Sequence, residues 1–199
     1  PSFRERIISS GAVDPLLSFV HKEDTELKVE VLNTLCNLSL GGFMGDNANT
    51  LLKNVDMQSL LSFLCNPDST HRLFGAVAIG NIASHLDLQE PVLKGGALQP
   101  LIGLSDNNTS DVESQRCIAY AICNLSSDHP NRMSIILNGG LASIMFLCHT
   151  GDISDMLAAL STLRGLAVSA EARRPIVEEG VLHVIALAVK TDCVECQRE

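Results

Sequence analysis

The sequence predicts an all-α protein built from repeated three-helix units, and three observations predict it. A glycine-centred block recurs at a near-constant interval, an asparagine-ended block recurs between its copies, and no stretch alternates apolar and polar residues as a half-buried strand would. The first block reads SSGAVDPLLSFV from Ser9, KNVDMQSLLSFL from Lys53, KGGALQPLIGL from Lys94, NGGLASIMFL from Asn138 and EEGVLHVIAL from Glu178. Its pivot is Gly11, Val55, Gly96, Gly140 and Gly180, at spacings of 44, 41, 44 and 40 residues. The second block is VLNTLCNLS, AVAIGNIAS, AYAICNLSS and LSTLRGLAV, with Asn37, Asn81, Asn124 and Gly165 at the key position and spacings of 44, 43 and 41. Two independent anchors with one period mark a single array. Its units are expected at about 1–41, 42–84, 85–127 and 128–169, with a shortened fifth at 170–199.

Local chemistry accounts for each helix in turn. The first of a unit is short, as over 173–179, and ends at the pivot, where glycine takes the left-handed conformation that closes a helix. Val55 departs from this because a β-branched residue resists positive φ, so Asn54 is the expected turn residue there. The second helix starts at once, with Pro15 and Pro100 in its first turn, where a missing N–H is harmless. The third is the longest, with Val29, Leu32, Leu35, Cys36 and Leu38 at three- and four-residue intervals. Ser110 with Glu113 forms a capping box at one start, and Thr25, Ser69 and Asp192 hold like positions at others.

Composition narrows the function. The 199 residues are 46% hydrophobic and 19% charged, with a mean hydropathy of +0.21, enough apolar surface to offset the entropy of ordering the chain. Apolar runs fall short of the roughly 18 residues a membrane span needs, and PSFRERIISS has no apolar segment of a signal peptide, so no membrane insertion is expected. A formal charge of −9 with one tyrosine and no tryptophan lacks the cations and rings of a nucleic-acid binder. Cys36, Cys65, Cys117, Cys123 and Cys148 lie in apolar stretches and the total of seven is odd, which argues for free thiols in a reducing compartment. The expected location is the cytoplasm, with the nucleus also open, and the N-x-[ST] matches at Asn37, Asn107, Asn108 and Asn124 are then not glycan sites.

The G-A-x-x-P-L-[LI] block, a polar loop and A-x-x-A-[LI]-x-N-[LI]-[AS], at 40 to 44 residues over the whole chain, resemble the armadillo repeat of beta-catenin and importin-alpha. HEAT repeats, with two helices, lack the pivot glycine and late asparagine. The resemblance implies a right-handed superhelical solenoid whose third helices line a concave groove. Asp192 to Arg198 parallels Asp111 to Arg116, so the chain is expected to be a piece of a longer array, a monomer whose end units expose apolar faces open to end-to-end association. Four residues before the asparagine, where importin-alpha has tryptophan, stand Asn33, Val77, Tyr120 and Ser161, which argues against recognition of nuclear signals.

Catalytic, cofactor and metal sites are not expected. Cys193 and Cys196 form a C-x-x-C, but Cys196 aligns with Ser114 and no second pair completes a zinc site, so neither a metal nor a redox role is expected. No motif sets His21, His71, His85, His129, His149 or His183 beside a nucleophile or carboxylate, and Gly41-Gly42 and Gly139-Gly140 lack the strand and lysine of a phosphate loop. Acidic residues at third-helix starts (Asp24, Glu26, Asp68, Asp111, Glu113, Asp155, Asp192) read as caps that complement the helix dipole, while their sum favours neutral or basic partners.

By the resemblance, Asn37, Asn81 and Asn124 point into the groove and pair with the main chain of a bound segment; an amide offers both donor and acceptor. At about 0.5–1.5 kcal/mol per hydrogen bond, three amides fall short of the roughly 8 kcal/mol of micromolar binding. Side-chain contacts are expected from Glu30, Asn33, Phe74, Val77 and Tyr120 on the same face, with Phe74 and Tyr120 as anchors, although helix phase alone leaves Phe74 between groove and core. The expected function is a non-catalytic scaffold or adaptor that binds an extended or helical protein segment. The alternatives are an array packed against other domains of its own chain, or the regulatory region of an enzyme whose active site lies elsewhere.

Overall fold

The computed structural model describes residues 3–20, 25–39, 57–105 and 112–198, and Gly41, Gly42, Asn54, Val55, Asp24, Ser110 and Asp111 lie outside them. The chain divides into two compact units, Pro1–Pro100 and Leu101–Glu199. The first holds α1 (Phe3–Ser9), α2 (Val13–Val20), α3 (Thr25–Ser39), α4 (Met57–Leu64), α5 (Ser69–Ala83) and α6 (Leu86–Lys94), and the division falls within α7 (Leu98–Ser105). The second holds α8 (Val112–Leu125), α9 (Asn131–Leu137), α10 (Gly140–Phe146) with a 3-10 turn at Leu147–His149, α11 (Ile153–Ala167), α12 (Ala170–Glu178), α13 (Val181–Val189) and α14 (Val194–Arg198). Among the described residues there is no strand, and no single helix is long and apolar enough to cross a membrane.

In the first unit α5 is the central element, packed on α3, α4 and α6. Leu35 of α3, Leu60 and Leu64 of α4, and Ile79 and Ile82 of α5 are fully buried there. In the second unit α11 takes that place, against α8, α12, α14 and the 3-10 turn, while α10 packs on α8, with Ile118, Ile122 and Leu125 of α8, Ile135 of α9 and Ile144 of α10 buried. The long helices bury residues on most of their circumference, which a lone amphipathic helix does not.

The punctuation agrees with the sequence at three pivots and differs at one. Gly11, Gly96 and Gly180 have φ of 79°, 91° and 97°, the left-handed values expected. In the NGG turn, however, it is Gly139, with φ 91°, that carries the turn, and Gly140 opens α10. Gly140 is small for another reason: a Cβ there would lie 2.5 Å from Ile135 Cγ2 and 3.0 Å from the Ile135 carbonyl oxygen.

Capping also shifts by one residue. Asp68, not Ser69, caps α5, its carboxylate accepting from the Thr70 N–H at 2.8 Å, and Asp152 caps α11 by accepting from Ser154 N–H at 2.7 Å. The opposite ends show a device the sequence analysis missed. Six residues past the final residues of α5, α8 and α11, a side chain turns back to the helix's terminal carbonyl: Gln89 Nε2 to Ala83 at 2.9 Å, Asn131 Nδ2 to Leu125 at 3.1 Å, and Arg173 Nε to Ala167 at 2.9 Å. These stitches satisfy acceptors that a helix end leaves open.

The two glycines of the NGG turn respond oppositely to substitution. Gly139→Ala should cost about 1–2 kcal/mol and Gly139→Asn less, because Asn tolerates the left-handed region. At Gly140 the order reverses, with Asn worse than Ala and losses of about 1–3 kcal/mol from overpacking. Urea unfolding of the four variants measures this, and the same ranking at both positions would refute it.

Candidate functional site

The residues named from the sequence fall into two groups, one in each unit. In the first unit α3 and α5 border a hollow of about 470 Å³. Glu30, Asn33 and Asn37 of α3 line one side, and Thr70, Phe74 and Val77 of α5 the other. Repetition along α3 at three- and four-residue steps puts Glu30, Asn33 and Asn37 on one face. All three are exposed, and neither Asn33 nor Asn37 has a side-chain hydrogen-bond partner among the described residues. Phe74 proves to be both core and floor: it is 4% exposed, and its ring meets Phe63 edge-on at 4.7 Å while bordering the hollow. Asn81, half-buried further along α5, donates a long hydrogen bond of 3.5 Å to the Cys36 carbonyl of α3. Its amide therefore serves the contact between two long helices. His71, one of the scattered histidines, is buried in the first turn of α5, where it stacks on Phe63.

In the second unit Asn124 is half-buried near the end of α8, and Tyr120 one turn earlier is committed to a charged cluster. Its hydroxyl donates to Asp155 Oδ1 at 2.7 Å, and Arg116 grips the same carboxylate with Nε at 2.7 Å and Nη2 at 3.0 Å. Asp155 is 0% exposed, whereas the Arg116 side chain keeps 30% exposure and also contacts Glu113 at 3.1 Å and Asp152 at 3.8 Å. Burial pushes the Asp155 carboxyl up, but the hydrogen bonds from Arg116, Tyr120 and Thr150 outweigh it and hold it below its ordinary value of 3.8. The Asp155 hydrogen bond raises Arg116, and burial together with the carboxylate pushes Tyr120 up to about 12. Burial likewise lifts Cys123 to about 12 and Cys148 to about 11, which makes both poor nucleophiles. No group of three or more potential metal ligands is present among the described residues.

Residues 1–40 match the family model of the Armadillo/beta-catenin-like repeat. The structure is similar to a designed armadillo repeat protein in complex with the peptide (KR)4, at a TM-score of 0.83 and 21% identity over 98% of this chain and 81% of that one. The chain has the fold of an armadillo-repeat solenoid. Another designed armadillo repeat protein matches at 0.84 and 19% identity, and computationally designed armadillo repeat proteins for modular peptide recognition match at 0.84 and 20%, each over 98% of this chain and 82% of the other. No curated protein matches the sequence.

Within the second unit, the Arg116–Asp155–Tyr120 cluster around the buried Asp155 is the element that sequence reasoning missed. Asp155 stood among seven helix-start acids with one expected role, and the structure separates them: Asp68 caps, Glu113 pairs at the surface, and Asp155 is a buried anion. The only available signal was Arg116 and Tyr120 four residues apart, which share one face of α8.

Replacing the buried carboxylate by an amide removes its charge and one of the two acceptor oxygens that Arg116 and Tyr120 share, and sets an NH2 donor in its place. Asp155→Asn should destabilise the second unit by about 3 kcal/mol, the lower end of the range for a broken buried pair because Arg116 stays partly solvated. Since the folded carboxyl titrates below 3.8, its contribution is complete above that pH and is lost as pH falls through the lowered value. The stability gap between wild type and variant, followed by denaturation at several pH values, should therefore be constant near neutrality and narrow only in acid. A gap that widens in acid would contradict the assignment.

Proposed function

We propose that this armadillo-repeat chain is a non-catalytic peptide-binding module whose long-helix faces take an extended segment of a partner protein. The hollow between α3 and α5 carries this reading, because exposed amides of Asn33 and Asn37 stand beside the apolar edges of Phe74 and Val77. Amides grip a peptide main chain irrespective of its side chains, and the apolar floor supplies the burial that hydrogen bonds alone do not. A neutral to basic segment suits it, given Glu30 at the hollow and a formal charge of −9. The peptide recognised by the designed armadillo protein in complex with (KR)4 supports the same partner class. In the second unit Asn124 is the corresponding contact, with Tyr120 held in place by Asp155. Seven free thiols support a reducing, cytoplasmic setting for the protein, which acts as a monomeric scaffold or adaptor in this reading.

The test uses an alternating Lys-Arg octapeptide and a neutral Gly-Ser octapeptide as probes in calorimetric titration. Asn33→Ala with Asn37→Ala should weaken binding of the basic peptide at least about fivefold, the loss of two hydrogen bonds of about 0.5–1.5 kcal/mol each, with the melting temperature unchanged because both residues are exposed. Binding that is unaltered in the double variant would overturn the reading. Raising salt from 50 to 200 mM should weaken the basic peptide only moderately, far short of the roughly thousandfold or greater loss seen with 6–10 phosphate contacts.

A further inference from the structure

The alignment of Cys196 with Ser114 explains why a small buried residue stands there, yet it leaves the neighbouring thiol unexplained. Cys193 immediately precedes α14 and Cys196 lies in its first turn, so the two are separated by one helical turn. Residues three apart on a helix have Cα atoms about 5 Å apart on nearly the same face, inside the roughly 4.4–6.8 Å window that a disulfide needs. Cys193 is half-exposed and its thiol donates to Glu195 Oε2 at 3.4 Å, whereas Cys196 is 3% exposed. Next to burial, the neighbouring Cys193 thiol also raises the Cys196 thiol. Cys196 also borders an apolar groove of about 570 Å³ walled by Leu160, Val181 and Ile185. The turn is pinned in place by Gln197, which donates to the Thr191 carbonyl at 2.7 Å.

We infer that Cys193 and Cys196 form a reversible dithiol–disulfide site that is oxidised by hydroperoxides. Burial keeps the Cys196 thiol protonated above its ordinary range, so the accessible Cys193 meets the oxidant first. Its sulfur attacks the terminal peroxide oxygen, the O–O bond breaks, an alcohol leaves and Cys193 becomes a sulfenic acid. The Cys196 sulfur then attacks the Cys193 sulfur, the S–O bond breaks, and water leaves with the Cys196 proton. Two thiols lose two electrons and two protons, and the hydroperoxide is reduced to alcohol and water. Cys123 and Cys148 are buried, with thiols that burial raises away from the reactive thiolate, and stand outside this exchange.

The full 199-residue chain carrying Cys65→Ser, which removes an exposed thiol outside the pair, is treated with tert-butyl hydroperoxide and followed by intact mass and peptide mapping. The expected product is lighter by two hydrogens, with one bond mapped to Cys193 and Cys196, and dithiothreitol restores the starting mass. Cys193→Ser abolishes the product and Cys117→Ser leaves it unchanged. Cys196→Ala accumulates a Cys193 sulfenic acid that dimedone traps; should that buried substitution prevent folding, the Cys193→Ser variant decides alone. A bond mapped to another pair, unaltered mass, or Cys193 carried to its sulfinic acid while Cys196 stays a thiol would overturn the site.

Discussion

Helices of seven to nine residues are too short to persist alone in water, and most of this chain's helices are that short. Everything else follows from how they are held. In the first unit α4 and α6 persist because they close on α5, where Ile79 and Ile82 are fully buried; in the second, α10 closes on α8, α12 and α14 close on α11, and α9 and α13 pack on these shorter helices. Each long helix is thus a shared wall. Its residues cannot be separated cleanly into an inner and an outer face, and Phe74, which packs on Phe63 and also floors the hollow, is the plainest case.

Polar groups finish what apolar burial starts. The Gln89, Asn131 and Arg173 stitches recur 42 residues apart and satisfy the carbonyls that α5, α8 and α11 leave open before the chain turns. Without them the turns after Ala83, Leu125 and Ala167 would carry open acceptors, two of them beside buried side chains. Asp155 is a costlier device, since a carboxylate with no exposure is tolerated only because Arg116 and Tyr120 surround it with donors. That commitment fixes Tyr120 in one orientation, so a residue chosen as a binding anchor is positioned chiefly by the repeat's own packing.

The same division separates the residues proposed to contact a peptide. On α3 the amides of Asn33 and Asn37 are directed to an open hollow, whereas Asn81, the counterpart of Asn37 on α5, reaches the Cys36 carbonyl. Equivalent positions in a repeat need not do equivalent work, because each sees a different neighbour. The peptide-binding face proposed above would read side chains through whichever positions the packing has left exposed.

What the sequence determined by itself is the periodic part of this protein. Helix class, the left-handed glycines at 11, 96 and 180, the long third helices and the absence of strands among the described residues are local properties, set by backbone freedom, capping and three- and four-residue spacing, and they were legible residue by residue. Tertiary structure decided the rest. Which of Gly139 and Gly140 turns the chain depends on Ile135 pressing against the second, and whether an acid at a helix start caps, pairs or is buried depends on residues about forty positions away, as Arg116 shows for Asp155. Those choices rest on contacts between elements, and a one-dimensional period carries no record of which side chains meet.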